Sequence, residues 1–105
     1  MEQPNLNYIK SMSDGDKTFE NKLISLIKQE YPEEKKVYQK NINSQNYKAT
    51  AEIVHKLKHK ISILGLVKGY DVATNFENNL KEDKILLKEE FEAILDQITK
   101  YLTKL

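Results

Sequence analysis

Apolar residues recur along most of the chain at steps of three and four, in four long segments separated by short polar breaks, which is the signature of amphipathic helices. The first runs from Lys17 through Phe19, Leu23, Leu26, Ile27, Tyr31, Val37, Tyr38 and Ile42. Pro32 interrupts it, but the stripe resumes in phase afterwards, which predicts one bent helix to about Asn41 rather than two helices. A polar connector, Asn41 to Asn46, comes next, with Ser44 or Asn46 as cap of a second helix from about Tyr47 to Leu64. Its stripe is Ile53, Val54, Leu57, Ile61 and Leu64. Gly65 is placed to end that helix, and Gly69 offers a second break before a third stripe, Tyr70, Ala73, Phe76 and Leu80. Lys81 to Lys84 reads as a charged turn. The last segment, Leu87, Phe91, Ile94, Leu95, Ile98, Tyr101, Leu102 and Leu105, has the cleanest spacing of all. Ahead of these, residues 5 to 12 predict a short helix with Leu6 and Ile9 inward and Asn5 as its cap. Ser13 to Asp16 breaks the chain there, and Asp16 can cap the long helix that begins at Lys17. The expected fold is all-α: an antiparallel up-down four-helix bundle with a short extra N-terminal helix, each stripe facing a shared core.

Composition narrows this further. With 105 residues the chain forms one domain, residues 1 to 105, and its 3 glycines and 2 prolines are too few for a turn-rich sheet. Absence of cysteine excludes disulfides, thiol chemistry and thiolate metal sites. A net charge of +1 gives no reason to expect nucleic acid or a membrane as partner. No apolar run approaches the roughly 20 residues of a membrane span, and the start M-E-Q-P-N-L-N lacks the pattern of a signal peptide; a soluble, cytoplasmic protein is expected. Charge is uneven, however. Between Lys48 and Lys68 stand five lysines (48, 56, 58, 60, 68) against one acid, Glu52, a segment whose natural complement is an acidic surface.

That segment also holds both histidines. On a helical wheel with Thr50 at zero, the apolar stripe lies within roughly 60°, whereas Ser62 falls at about 120°, His55 at about 140° and His59 at about 180°. A histidine is thus offered to solvent from the middle of an anchored helix. The i, i+4 pair His55 and His59 has the spacing of a zinc-binding helix, but Lys56 stands where a metalloprotease helix has Glu, and Lys58 and Lys60 repel a cation. No Gly-rich phosphate loop, nucleophile elbow or EF-hand pattern occurs. The alternative chemistry is nucleophilic. A neutral imidazole can attack an activated phosphate, nearby lysines favour the neutral ring, and Lys58, one turn on, is best placed to stabilise the dianion formed.

These residues resemble a known family. His55-x-Leu57-Lys58, with Gly65 ten residues after the histidine, is similar to the signature of histidine phosphotransfer (HPt) domains of bacterial phosphorelays. Asn46-Tyr47 lies where the family usually has an Asp and an aromatic, Pro32 falls where its preceding long helix commonly carries a proline, and Phe76-Glu77 takes the place of a frequent Leu-Glu pair. The resemblance covers about residues 6 to 102. It implies a phosphocarrier without kinase activity of its own, in which His55 accepts a phosphoryl group from a receiver-domain aspartyl phosphate and passes it to a second receiver. Lys58 assists, and Glu52, Lys56, His59, Lys60 and Ser62 line the docking face. The implied partners are response-regulator receiver domains or a hybrid sensor histidine kinase, with Mg²⁺ on the receiver and no metal or cofactor on this chain. A departure stands four residues after His55, where the family usually has Gly followed by a small residue and this chain has His59 and Lys60. The competing expectation is a module that docks such domains without transferring phosphate. Counting from His59 instead loses the lysine, which favours His55 as the acceptor.

Overall fold

Five helices make up most of residues 2–105, which the computed structural model describes: α1 (Asn7–Ser13), α2 (Lys17–Asn43), α3 (Tyr47–Ile63), α4 (Val67–Lys81) and α5 (Lys88–Thr103). The predicted starts obey the cap chemistry. Asp16 accepts from the Phe19 amide at 3.1 Å and Asn46 from the Ala49 amide at 3.2 Å, so each satisfies one amide that the first turn leaves free. The short first helix departs from expectation: it begins at Asn7 with Leu6, not Asn5, at the N-cap position, and the Asn5 side chain accepts from the Asn7 amide at 3.0 Å from one residue further out. Ser44, the other candidate for capping α3, instead turns its hydroxyl back to the Lys40 carbonyl and closes α2. α2 runs unbroken through Pro32 to Asn43.

Gly65 ends the α3 arm of the α3–α4 hairpin as expected. Its φ of +80° lies in the left-handed region that favours glycine, and an added Cβ would lie 2.5 Å from the Asn5 side chain. Gly69, in contrast, is not a break. It lies buried inside α4, where a Cβ would meet Leu66 at 3.1 Å and Ile61 at 3.2 Å; the missing side chain lets α4 approach α3 closely.

α2 contacts α3 and α5, α4 contacts α3 and α5, and α1 lies on α2. The four main stripes meet in one core, with Val54, Leu57, Ile61, Leu64, Ala73, Phe76, Phe91 and Ile98 sealed from solvent. Tyr38, Phe76 and Phe91 form its aromatic centre, with centroids 5.1 to 6.4 Å apart, and the Tyr38 hydroxyl donates to Glu92 at 2.8 Å. The α2 stripe is narrower than the spacing suggests: Phe19, Leu26 and Val37 are largely exposed, as is Leu105 in the final segment.

Residues 2–6 strap the end of the α3–α4 hairpin. The Asn5 amide donates to the Leu64 carbonyl at 2.8 Å. α4 has no side-chain cap of its own, and the Glu2 carboxylate accepts from the amides of Lys68 at 3.0 Å and Gly69 at 3.1 Å. Burial opposes ionisation of this carboxyl, but those backbone bonds and the Lys68 charge hold it below the usual carboxylate range. Among the described residues no helix is long and apolar enough to cross a membrane.

Candidate functional site

His55 and Glu77 stand eleven residues either side of Leu66, at the turn of the α3–α4 hairpin. Antiparallel packing therefore brings them level. Nδ1 of His55 lies 3.2 and 3.3 Å from the two carboxylate oxygens of Glu77. The histidine side chain is 52% exposed, whereas that of Glu77 is 9% exposed. Phe76 beside it is fully buried and fixes the register of α4.

Glu77 is the hub of a wider cluster. Lys58 Nζ reaches one carboxylate oxygen at 3.1 Å and Lys81 Nζ the other at 3.4 Å, while the Lys58 ammonium also lies 5.4 Å from the Tyr70 ring centre, in cation–π range. Burial alone would raise the Glu77 carboxyl, but hydrogen bonds from Lys58 and then His55, with the charges of both, hold it below the usual carboxylate range.

This fixes the tautomer of His55. An ionised carboxylate only accepts, so Nδ1 carries the hydrogen and donates it. In the neutral ring the lone pair is then on Nε2, at the opposite edge of a half-exposed side chain. Carboxylate, Nδ1–H and free Nε2 together are the arrangement that orients and activates an imidazole as base, ligand or nucleophile.

Glu52, Lys56, His59 and Ser62 are exposed on the same side of α3 as His55. The His59 ring packs edge to face on that of His55, with centroids 5.0 Å apart. Lys60 does not join them. It is buried on the other flank of the stripe, with Nζ 3.1 Å from Glu30 and 3.0 Å from Glu34 of α2. Lys58 also differs from the expectation of a free cation: its side chain is 11% exposed and committed to Glu77 at the Nδ1 edge of the ring. Of the five lysines between positions 48 and 68, the three in the open are Lys48, Lys56 and Lys68.

Beside His55 a groove of about 720 Å³ opens between the start of α3 and the end of α4, with Ala51 and Leu80 on its floor. Lys48, Lys56 and Lys81 around it are matched by Glu52, Glu77 and Asp83, so its charge is balanced rather than strongly basic. Among the described residues no three His, Cys, Asp or Glu side chains gather as a metal-holding group.

Sequence pattern alone assigns no site role to Lys81 or Tyr70, and it marks Glu77 only as half of a dipeptide resemblance. The signal that finds Glu77 is its distance from the turn, equal to that of His55. Comparison with family models, with curated proteins and with solved structures returned no match for this chain.

Proposed function

We propose that the protein is a phosphocarrier of the histidine phosphotransfer type, with α2 to α5 forming an antiparallel four-helix bundle and α1 as the extra helix. The observation that carries the reading is the His55–Glu77 pair: an exposed imidazole whose inner nitrogen is held by a buried, ionised carboxylate. The resemblance of His55-x-Leu57-Lys58 and Gly65 to the family pattern points the same way.

In this reading the lone pair of His55 Nε2 attacks the phosphorus of a receiver's aspartyl phosphate. The Nε2–P bond forms as the P–O bond breaks, and that electron pair returns to the aspartate carboxylate. Nδ1 keeps its proton, and the positive charge that spreads over the ring is balanced by Glu77. Lys58 acts one step back, keeping Glu77 ionised and in place. Attack by a second receiver's aspartate on the same phosphorus reverses the sequence and restores neutral His55. Mg²⁺ and most of the charge stabilisation belong to the receiver's side. The open side of α3 around His55, with Glu52, Lys56, His59 and Ser62, is where a receiver would dock.

Incubation with a phosphorylated receiver should place an acid-labile, base-stable label on this chain, and His55→Gln should abolish it. Label retained at the normal rate in His55→Gln would remove His55 from the role. If His59→Gly lost the label while His55→Gln kept it, the carrier would be the second histidine. No label on the native chain, with receiver binding intact, would mark a docking module instead.

A further inference from the structure

Lys58 cannot easily serve as the cation that meets a phosphoryl group on Nε2, because its ammonium is tied to Glu77 at 3.1 Å and lies at the Nδ1 edge of the ring. A different side chain sits against the reactive ring. His59 stands one helical turn after His55, is exposed, and packs edge to face on it with centroids 5.0 Å apart.

From this placement we infer that His59 is the phosphoryl-facing donor of the site, hydrogen-bonding the transferred group once it is on His55; this rests on the phosphocarrier reading above. A phosphoryl group on Nε2 sets three strong acceptor oxygens beyond the ring edge, and an imidazole in van der Waals contact is close enough to turn one N–H toward them. His59 is free to do so. None of its ring atoms takes part in a hydrogen bond or ion pair among the described residues. Lys56, the neighbouring exposed cation, lies about 100° round the helix from His55, at the rim of the groove that Glu52 also lines, and has no ring stacked on that of His55. The geometry thus splits two tasks between two groups: Lys58 positions the carboxylate behind the ring, and His59 meets the phosphate in front of it. A glycine at position 59 would leave the second task wholly to the receiver, so this chain carries on its own surface a contact that stabilises the phosphorylated state between docking events.

Phosphoramidate tests this without any receiver, since its P–N bond breaks as Nε2–P forms and ammonia leaves. Phosphorus NMR on the whole chain should show phosphohistidine of the Nε2 isomer, lost in His55→Gln. On phosphorylation the ring nitrogens of His59 should move, in long-range ¹H–¹⁵N spectra, toward the doubly protonated or donor form. The phosphoryl half-life should shorten about 3- to 10-fold in His59→Ala and in His59→Phe, which keeps the ring but no donor. It should stay within about twofold in His59→Gln and His59→Lys, which keep a donor. Unchanged thermal unfolding would separate this from loss of fold. Equal half-lives across the four variants, with an unmoved His59 ring, would overturn the role of His59 while leaving His55 as carrier. If phosphoramidate leaves His55 of the native chain unmodified, both the carrier reading and this one fall.

Discussion

Lys58 and Lys60 are two residues apart on α3, both 11% exposed at the side chain, and both bound to carboxylates of a neighbouring helix. They flank the apolar stripe symmetrically, at about 80° on either side of Thr50. Each therefore lies at the edge of an interface, its stem on apolar surface and its ammonium reaching the next helix. The difference is in what else the carboxylates touch. Glu30 and Glu34 close around Lys60, and one Glu34 oxygen is buried without a partner; the cluster pins α3 to α2. Glu77 holds Lys58 in the same manner but also takes Nδ1 of His55, whose side chain is half-exposed. A buried ion pair gains chemistry when a third member reaches the surface.

The largest expected effect is on stability. Glu77→Ala leaves the Lys58 ammonium buried with no carboxylate and should cost about 3–5 kcal/mol. Glu34→Ala should cost about 1–2 kcal/mol, because Lys60 keeps Glu30. Urea unfolding compares them, and equal losses would mean that the two clusters are closed to the same degree. Leu57→Ala, in the fully buried stripe between them, should cost about 2–5 kcal/mol and calibrates the scale.

Transfer should separate the pair more sharply. Glu77→Gln puts an amide, able to donate as well as accept, behind Nδ1, and should slow phosphorylation of His55 about 10- to 100-fold. Glu34→Gln should leave it unchanged. Lys58→Met, which keeps the bulk of the stem, should slow transfer by less than Glu77→Gln, and Lys60→Met should not slow it. Similar rates for the two methionine variants would dissolve the distinction between the two clusters.

A smaller contrast lies in pH dependence. The Glu77 carboxyl is held below its usual range in the folded chain. Its contribution to stability is therefore fully present above the unfolded value, about 4.3, and is lost as the pH falls through the lower folded value. The thermal midpoint of the native chain should drop across that acid window more steeply than that of Glu77→Gln. Parallel curves would show that the carboxylate is not stabilised by its partners.

Much of the molecule is legible in the sequence. Helix boundaries come from Asp16, Asn46 and Gly65, whose side chains or backbone angle each satisfy a local requirement, and the core comes from stripes at helical spacing. Exposure of His55 is set by its angle on the wheel. The burial of the two lysines is not legible in this way. Periodicity sorts apolar residues inward and charged ones outward, and a lysine at the border of the stripe is decided by whether a carboxylate faces it from another helix. For Lys60 that carboxylate is 26 residues away, on α2, and for Lys58 it comes from α4, so the answer depends on the register between helices. The same limit explains Gly69, which reads locally as a break and is in fact a contact between α3 and α4, and Phe19, Leu26 and Val37, which continue the α2 stripe beyond the helices that cover it.

The smallest expected effect concerns the lysines that remain outside. With Lys58 and Lys60 paired to carboxylates of neighbouring helices, any long-range attraction to an acidic receiver surface, on the phosphocarrier reading, depends on the exposed Lys48 and Lys56, and Glu52 and Asp83 nearby offset part of it. Steering should therefore be weak. Lys56→Gln should lower the association rate with a phosphorylated receiver about two- to threefold at low ionic strength, and the difference should vanish near ~0.5 M salt, where charges at the surface are screened over only about 4 Å. Lys60→Met should not change the rate at any salt concentration, because its charge is already matched within the fold. A salt-dependent loss in Lys60→Met as large as that in Lys56→Gln would mean that the buried pair still projects its charge to the partner, and that the division between inner and outer lysines is one of packing alone.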